Sequence, residues 1–164
     1  MDFLWSPWRY TYVSSGAATE RCVFCIGESP DNDAKLLVLH RARFNFVIMN
    51  LYPYTTGHLM VVPYAHLARL SDTDSEQMNE MMALSRHAVR IIEEVYCPDG
   101  FNIGMNIGEC AGAGVRDHLH LHIVPRWCGD VNFMTAAGET RVLPEGLAVS
   151  YQKLKPLFER EVTS

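Results

Sequence analysis

The amino-acid sequence predicts an α+β fold, in which a five-stranded antiparallel sheet is combined with one long central helix and a C-terminal helix. Five segments are rich in β-forming residues, and two longer segments repeat apolar residues at the helical period. These segments follow one another in mixed order rather than in strict strand–helix alternation. Mixed order favours antiparallel pairing over the parallel sheet of an α/β protein.

The composition limits the class of protein. A chain of 164 residues is expected to form one domain that buries roughly two-thirds of its unfolded surface. The net charge is −5 and lysine and arginine form no block, which argues against a nucleic-acid partner but not against a small anionic ligand. No apolar run approaches the roughly 18 residues of a membrane span, so no membrane is expected as a partner.

The N-terminal residues and the cysteines suggest a cellular compartment, and the N-terminal residues also suggest a domain boundary. Five cysteines, an odd number, fit a reducing compartment, and the N-terminus lacks the apolar core of a signal peptide, so we expect a cytoplasmic protein. Residues 1–20 are expected to be an aromatic N-terminal arm that packs on the domain or on a second subunit. An aromatic lid over a base is the alternative. Residues 21–164 are expected to form the single domain.

The first three strands are predicted at residues 36–39, 44–51 and 58–62. A turn or loop at residues 52–57 separates the second strand from the third, and Pro63 is expected to close the third.

The long helix is predicted to start within residues 72–76, where Thr73 and Glu76 have the spacing of a capping box. It is expected to end at residues 97–100. Core packing explains its apolar stripe better than a metal or partner site does. The stripe consists of Met78, Met81, Met82, Ser85, Val89, Ile92 and Tyr96. His87 falls off it and is expected to be solvated, and the last helix is predicted at residues 147–159.

The fourth strand, residues 101–107, alternates apolar and polar side chains. The apolar set is expected to face the core, and comprises Phe101, Ile103, Met105 and Ile107. Residues 108–114 then form a turn with three glycines, which include Gly112 and Gly114. Read alone, this turn is simply a hairpin connection. Beside histidines, a glycine-bearing loop can instead bring backbone N–H groups close to phosphate oxygens, although this one is not a Walker loop.

The fifth strand is the most informative stretch, because three histidines alternate in it with apolar residues. Residues 117–127 read Asp-His-Leu-His-Leu-His-Ile-Val-Pro-Arg-Trp. Successive side chains of a strand point to opposite faces, so His118, His120 and His122 are predicted to share one face. Pro125 is expected to end the strand, because proline cannot donate to a ladder.

Four interpretations of these histidines compete on the residues alone. They can form a solvated face, or hold a catalytic zinc or iron ion, although His118 and His122 would stand roughly 13 Å apart on a flat strand, too far to share one ion. A neighbouring pair can share an ion that is completed from elsewhere. In the fourth interpretation His120 is a nucleophile, because a neutral imidazole attacks well near pH 7 and leaves well once protonated. That chemistry suits transient capture of a phosphoryl or nucleotidyl group.

The pattern His-apolar-His-apolar-His-apolar-apolar resembles the signature of the histidine triad (HIT) family of nucleotide hydrolases and transferases. In that family the middle histidine attacks the α-phosphate and forms a nucleotidyl-histidine intermediate, which water or another acceptor resolves. The resemblance implies that His120 is the nucleophile. It also implies that the imidazoles of His118 and His122 stabilise charge in the transition state, with His122 near the leaving group.

The same resemblance implies a nucleotide site. Asn50, at the end of the second strand, matches the family's ribose-binding residue, although an asparagine that caps a strand end is an equal reading. Asn106 matches a residue near the α-phosphate, and Gly112 and Gly114 lie in the loop that contacts phosphates. The family usually has a serine or threonine there, whereas this chain has no hydroxyl residue between positions 108 and 118, which puts the binding of the leaving group in doubt. His58 is expected to be structural.

A Cys-x-x-Cys motif formed by Cys22 and Cys25 can hold zinc or act as a redox pair, and zinc would need two further ligands. His66 and His118 are the candidates. Several HIT proteins of bacteria hold structural zinc at the four matching positions, so the resemblance favours a structural zinc ion. A divalent metal bound to the substrate's phosphates can also assist, but no carboxylate site dedicated to it is visible.

The resemblance extends to the segment that follows Arg126 and to the Trp-Ser-Pro-Trp start, which are similar to the bacterial subgroup of diadenosine tetraphosphate phosphorylases and hydrolases. It implies a homodimer that cleaves a dinucleoside polyphosphate at the α-phosphate, with water or phosphate as acceptor. The alternatives are a nucleoside phosphoramidate hydrolase, a nucleotide-binding regulatory module with little catalysis, and a hydrolase or oxygenase whose histidines hold a catalytic metal.

Overall fold

The computed structural model describes residues 22–27, 29–130 and 145–160. The described chain contains a five-stranded sheet of order β1-β2-β3-β5-β4, in which every neighbouring pair is antiparallel. The strands are β1 Val38–Arg41, β2 Asn45–Met49, β3 Leu59–Pro63, β4 Gly100–Met105 and β5 Leu121–Arg126. The helices are α1 Asp33–Leu36, α2 Ser75–Tyr96 and α3 Leu147–Arg160. The predicted α+β fold is confirmed, and the aromatic arm predicted at residues 1–20 lies outside the described residues.

Both faces of the sheet carry an apolar cluster. The larger cluster lies between the sheet and the helices α2 and α3, and includes Val47 and Met49 of β2. The smaller lies on the opposite face and includes Phe46 and Ile48 of the same strand. Because both faces are covered, β2 is buried along its whole length and is apolar without interruption after Asn45. No helix in the described ranges is long and apolar enough to cross a membrane.

Helix α2 differs from its prediction at its start and in its buried face. The side chain of Asp74, not of Thr73, caps the helix by accepting a hydrogen bond of 2.8 Å from the Gln77 N–H. Met82 was predicted in the core but is 48% exposed. The buried face turns out to consist of Gln77, Met81, Leu84, Ser85, Ala88, Ile91 and Ile92. The prediction followed the helical period and is correct for Met81, Ser85 and Ile92, whereas the contact with the sheet decides which other residues are buried.

His87 is another correction, because it is half-buried rather than solvated. Its ring meets that of Phe158 edge to face, with centroids 5.2 Å apart, and lies 6.5 Å from the ring of His40. Burial, with the neighbouring His87 as a smaller cause, lowers the pKa of His40. Helix α3 packs over the side of α2 that carries His87. The helical period of α2 alone predicts that this side faces solvent.

Strand β4 is at the edge of the sheet, and only part of its apolar face is covered. Phe101 and Met105 pack against the larger cluster, as predicted. Ile103 and Ile107 are 46% and 41% exposed, so their predicted place in the core is wrong. The described helices leave the middle of this edge strand uncovered.

Strand β5 continues through Pro125 to Arg126, so the prediction that the proline ends it is wrong. The β3–β5 ladder stops at the pair Leu59–Ile123, and the Pro125 carbonyl accepts a hydrogen bond of 2.8 Å from the Thr55 hydroxyl instead. The nitrogen and the carbonyl of one strand residue point the same way. The missing N–H of Pro125 therefore faces a side where no ladder partner lies, and costs no hydrogen bond.

The turn between β1 and β2 is tied to α2 by one carboxylate. Glu80 accepts hydrogen bonds of 3.0, 2.8 and 2.8 Å from the backbone N–H groups of Arg43, Phe44 and Asn45, respectively. The Asn45 side-chain amide donates a further bond of 2.8 Å to the same carboxylate. Four donors thus depend on a single side chain of the helix.

Replacement of Glu80 by alanine should lower the free energy of unfolding by about 2–3 kcal/mol, because it leaves partly buried donors without their charged acceptor. Urea denaturation measures this. Glu76→Ala is the matched control: Glu76 lies one turn earlier and its exposed carboxylate makes only a 3.5 Å ion pair with Arg43, so its loss should cost less than about 0.5 kcal/mol. Equal losses in the two variants would contradict the role assigned to Glu80.

Candidate active site and metal site

The three histidines lie where the chain enters β5, and only His122 belongs to that strand. His118 and His120 lie in the extended segment before it, where the Leu119 N–H donates to the Leu67 carbonyl at 2.6 Å. The rings of His120 and His122 lie 4.8 Å apart with an interplanar angle of 75°. The predicted alternation is therefore present, although the ladder begins later than predicted.

His120 is buried, and one of its ring nitrogens has a backbone partner. Its Nδ1 donates a hydrogen bond of 2.9 Å to the carbonyl of His118. Only 4% of the residue is exposed, and this burial lowers the pKa of His120, against a smaller opposing effect of the hydrogen bond. The lowered pKa favours the neutral ring, and because Nδ1 is the donor, the lone pair of that ring lies on Nε2. These are the properties that a nucleophilic imidazole requires.

His122 is oriented by a second, ordered chain of hydrogen bonds. The Tyr54 N–H donates to His58 Nδ1 at 3.1 Å, which places the proton of a neutral His58 on Nε2. That nitrogen lies 3.0 Å from His122 Nδ1. His58 Nε2–H therefore donates to His122, whose own proton is placed on Nε2 as a donor. These tautomers follow from the neighbouring groups.

His58 is the functional residue that the sequence reasoning undervalued. It was expected to be structural, whereas it is only 1% exposed, contacts His122 directly and stacks on the ring of Tyr54 at 4.8 Å. The Gly57–His58 step at the start of β3 was the available signal. The contact of His58 with His122 depends on the pairing of β3 with β5, which the local sequence does not contain.

A cavity of about 390 Å³ opens beside these histidines. Asn50, Asn106, Gly112 and Gly114, predicted as nucleotide-binding residues, line it together with His120 and His122. His118 is absent from the lining among the described residues, so its place differs from that of the other two histidines. The rest of the described lining is largely apolar. It includes Phe24, Leu36, Leu37, Ile48, Leu51 and Met60.

Asn50 both caps a turn and lines the cavity. Its Oδ1 accepts a hydrogen bond of 2.9 Å from the Tyr52 N–H, so the capping reading is correct. Asn50 is also part of the cavity wall. The two readings weighed for this residue are therefore compatible.

The glycine-bearing loop contributes less through Gly112 than was predicted. The Gly112 N–H donates to the Glu109 carbonyl at 2.9 Å, and the Ala113 N–H donates to Gly108 at 3.3 Å. Both amides hold the turn together instead of pointing to a ligand. Gly112 has φ 82°, a left-handed conformation that favours glycine, so its conformation also explains its presence here.

Four residues form a candidate metal group, with ligand atoms that all lie within 4.8 Å of one another. They are Cys22, Cys25, His66 and His118. His118 Nδ1 lies 3.4 Å from Cys22 Sγ and 3.8 Å from Cys25 Sγ. The predicted set of ligands is brought together, across three separate segments of the chain.

The chemistry of this group fits a metal ion. His118 Nε2 donates to the Pro63 carbonyl at 2.8 Å, which leaves the Nδ1 lone pair facing the sulfurs. Burial lowers the pKa of His118 and keeps the ring neutral. Two sulfurs with two imidazoles are the ligands of a closed tetrahedral site.

Arg41 holds the segment that follows the two cysteines. Its guanidinium donates to the carbonyls of Gly27 and Ser29 at 2.8 and 3.1 Å. It also makes a bidentate ion pair with Asp33, with contacts of 2.9 and 2.7 Å and both side chains less than 15% exposed. This clamp attaches the segment to β1.

Comparison with known proteins agrees with this geometry. The HIT domain family matches residues 29–128. An AP-4-A phosphorylase of Mycobacterium tuberculosis is 39% identical over 96% of this chain and 85% of that protein. An asymmetrical bis(5'-nucleosyl)-tetraphosphatase of Schizosaccharomyces pombe is 33% identical over 54% of this chain and 48% of that protein.

Among solved structures, a zinc-bound histidine triad family protein of Mycobacterium smegmatis is 30% identical, with a TM-score of 0.69 over 88% of this chain and 97% of that one. The match to the family covers more than half of this chain and includes all three histidines of the triad. This chain therefore belongs to the HIT domain family.

Proposed function

We propose that this chain is a nucleotide hydrolase or transferase that cleaves a dinucleoside polyphosphate, such as diadenosine tetraphosphate, at the α-phosphate. The observation that carries the proposal is the neutral, buried His120, whose Nδ1 is held by a backbone carbonyl beside a cavity of nucleotide size. The phosphorylase and tetraphosphatase names of the relatives support this class of substrate.

In the first step His120 Nε2 forms a bond to the α-phosphorus, and the bond from that phosphorus to the bridging oxygen breaks. The leaving polyphosphate oxygen accepts a hydrogen bond from His122 Nε2–H, which His58 keeps in the donor tautomer. Asn50 contacts the ribose and Asn106 the α-phosphate. Neighbouring hydrogen-bond donors, which the fold keeps in position, stabilise the charge that develops on the phosphoryl oxygens.

In the second step an acceptor attacks the nucleotidyl group, and His120 leaves. Water yields AMP, whereas inorganic phosphate yields ADP. No carboxylate lines the described part of the cavity, so a divalent cation that assists would arrive with the substrate's phosphates. The absence of a serine or threonine between positions 108 and 118 bears most on which acceptor the enzyme uses.

The metal group is proposed to hold zinc, because two thiols and two imidazoles match the preference of that ion. The zinc-bound relative of known structure supports this identity. Zinc would supply a structural link between the segment of Cys22 and Cys25 and the segment of His118. In this proposal the histidines, and not the zinc ion, carry out the reaction in the cavity.

A homodimer is proposed with this function. Strand β4 is an edge strand, and the exposed Ile103 within it and Ile107 just after it are apolar side chains that a second copy can cover. A reducing, cytoplasmic location is also proposed, because the metal group needs Cys22 and Cys25 as thiols. No nucleic-acid or membrane partner is proposed.

Replacement of His120 by asparagine should lower turnover of diadenosine tetraphosphate by roughly 1,000-fold or more, because no covalent intermediate can form. The affinity for AMP, measured by calorimetry, should change little. His87→Asn is the control, since that imidazole packs on Phe158 away from the cavity and its loss should leave turnover near the wild-type value. Retention of about a tenth of the wild-type turnover in His120→Asn would show that the nucleophile is another group.

Product analysis with diadenosine tetraphosphate identifies the acceptor. We expect ADP and ATP in the presence of inorganic phosphate and no cleavage without it, because a relative carries the name AP-4-A phosphorylase. AMP and ATP without phosphate would make the enzyme a hydrolase. No cleavage in either tube would contradict this substrate class and favour a phosphoramidate conjugate; tight AMP binding with negligible turnover on both would favour a regulatory module.

Metal analysis should find about one zinc ion per chain, as expected for a closed four-ligand site. Cys22→Ser should lose this zinc and keep part of the activity. Cys128→Ser removes an exposed thiol outside the group and should keep both. Activity that disappears with a chelator and returns only with iron or manganese would contradict the structural role and favour a catalytic metal.

A further inference from the structure

Phe24 connects the metal group to the nucleotide cavity. It lies in the chain between Cys22 and Cys25, whose sulfurs both belong to the metal group. Yet its side chain is buried, with 7% exposed, and lines the cavity. It belongs to the smaller apolar cluster together with Ile48 and Met60, which line the same cavity.

The ring of Phe24 contacts two histidines of the triad that have different proposed roles. It meets the ring of His118, a candidate metal ligand, edge to face at 5.6 Å. It also packs on the ring of His120, the candidate nucleophile, at 5.0 Å and an angle of 49°. One side chain therefore forms part of the wall beside the nucleophile and touches the metal group as well.

The apolar cluster packs around the ring, but few described backbone bonds hold the segment that carries it. No helix or strand covers residues 22–27. The backbone bonds and clamps described for this segment are the turn from the Cys25 N–H to the Cys22 carbonyl, at 3.1 Å, and the Arg41 bond to Gly27. A metal ion bound by the sulfurs on both sides of Phe24 would be the strongest tether of its backbone.

We propose that metal binding at this group and nucleotide binding in the cavity are positively coupled, with Phe24 as the positioning residue that transmits the coupling. This inference rests on the proposed nucleotide site and metal group. An ion held between the sulfurs fixes the Phe24 ring against His120, so the nucleotide meets a complete apolar wall. Linkage requires the converse, that bound nucleotide tightens metal binding by the same factor.

The test measures the affinity for AMP by calorimetry, with the full chain loaded with zinc and after zinc removal by chelation. We expect AMP to bind the zinc-loaded protein about tenfold more tightly, within the usual range of coupling between sites. In the reverse direction, zinc transfer to a chromophoric chelator, measured on the loaded protein, should show zinc held about tenfold more tightly with saturating AMP. This second arm starts from the folded, zinc-loaded protein.

Two variants separate transmission from simple loss of wall surface. Phe24→Ala keeps all four ligands of the metal group, and should weaken AMP binding and reduce the effect of zinc on it to less than about twofold. Ile48→Ala is the matched control, because Ile48 is also 7% exposed and lines the same cavity but lies away from the cysteines in sequence. It should weaken AMP binding and keep the tenfold effect of zinc.

The outcomes distinguish a failure of the coupling from a failure of the proposed function on which the coupling rests. A zinc-loaded wild type that does not bind AMP would overturn the proposed nucleotide site itself. AMP and zinc that both bind, but independently in either arm, would overturn the coupling and leave the proposed function intact. A full effect of zinc in Phe24→Ala would overturn the role of Phe24.

Discussion

The hydrogen bond from His120 Nδ1 to the His118 carbonyl is the interaction on which the rest of the site depends. It fixes the tautomer of the candidate nucleophile. It also ties that ring to a residue whose own side chain bonds the Pro63 carbonyl and faces the sulfurs of the metal group. Catalytic geometry, the end of β3 and the metal group therefore meet in one short extended segment.

Sheet order explains how distant residues reach this segment. Strand β5 lies between β3 and β4, and pairs Met60 with His122 on one side and Gly104 with His122 on the other. The start of β3 therefore brings His58 beside His122. The end of β4 delivers Asn106 and the glycine-bearing loop to the same rim. Antiparallel pairing on both sides of β5 thus collects groups that lie far apart in the sequence.

The electrostatics of the cavity are local rather than global. The chain carries a net charge of −5, yet its proposed substrate is a polyanion. No carboxylate is among the described residues of the cavity wall, where Lys35 is the one charged side chain. His120 is neutral because of its burial. The proposed polyanionic substrate would therefore meet Lys35, imidazoles and local N–H donors rather than a chain of overall positive charge.

The sequence alone determined the approximate places of the five strands and the two long helices and the alternation around His120, which local period and side-chain chemistry encode. The Cys-x-x-Cys motif indicated a metal group, and the resemblance to the family supplied its two histidine ligands. Only the tertiary structure decided that His58 orients His122, that Met82 and Ile103 are exposed, and that Pro125 continues its strand. Each of these outcomes depends on which distant segment lies opposite the residue. Long-range packing sets that neighbour, and no local pattern contains it.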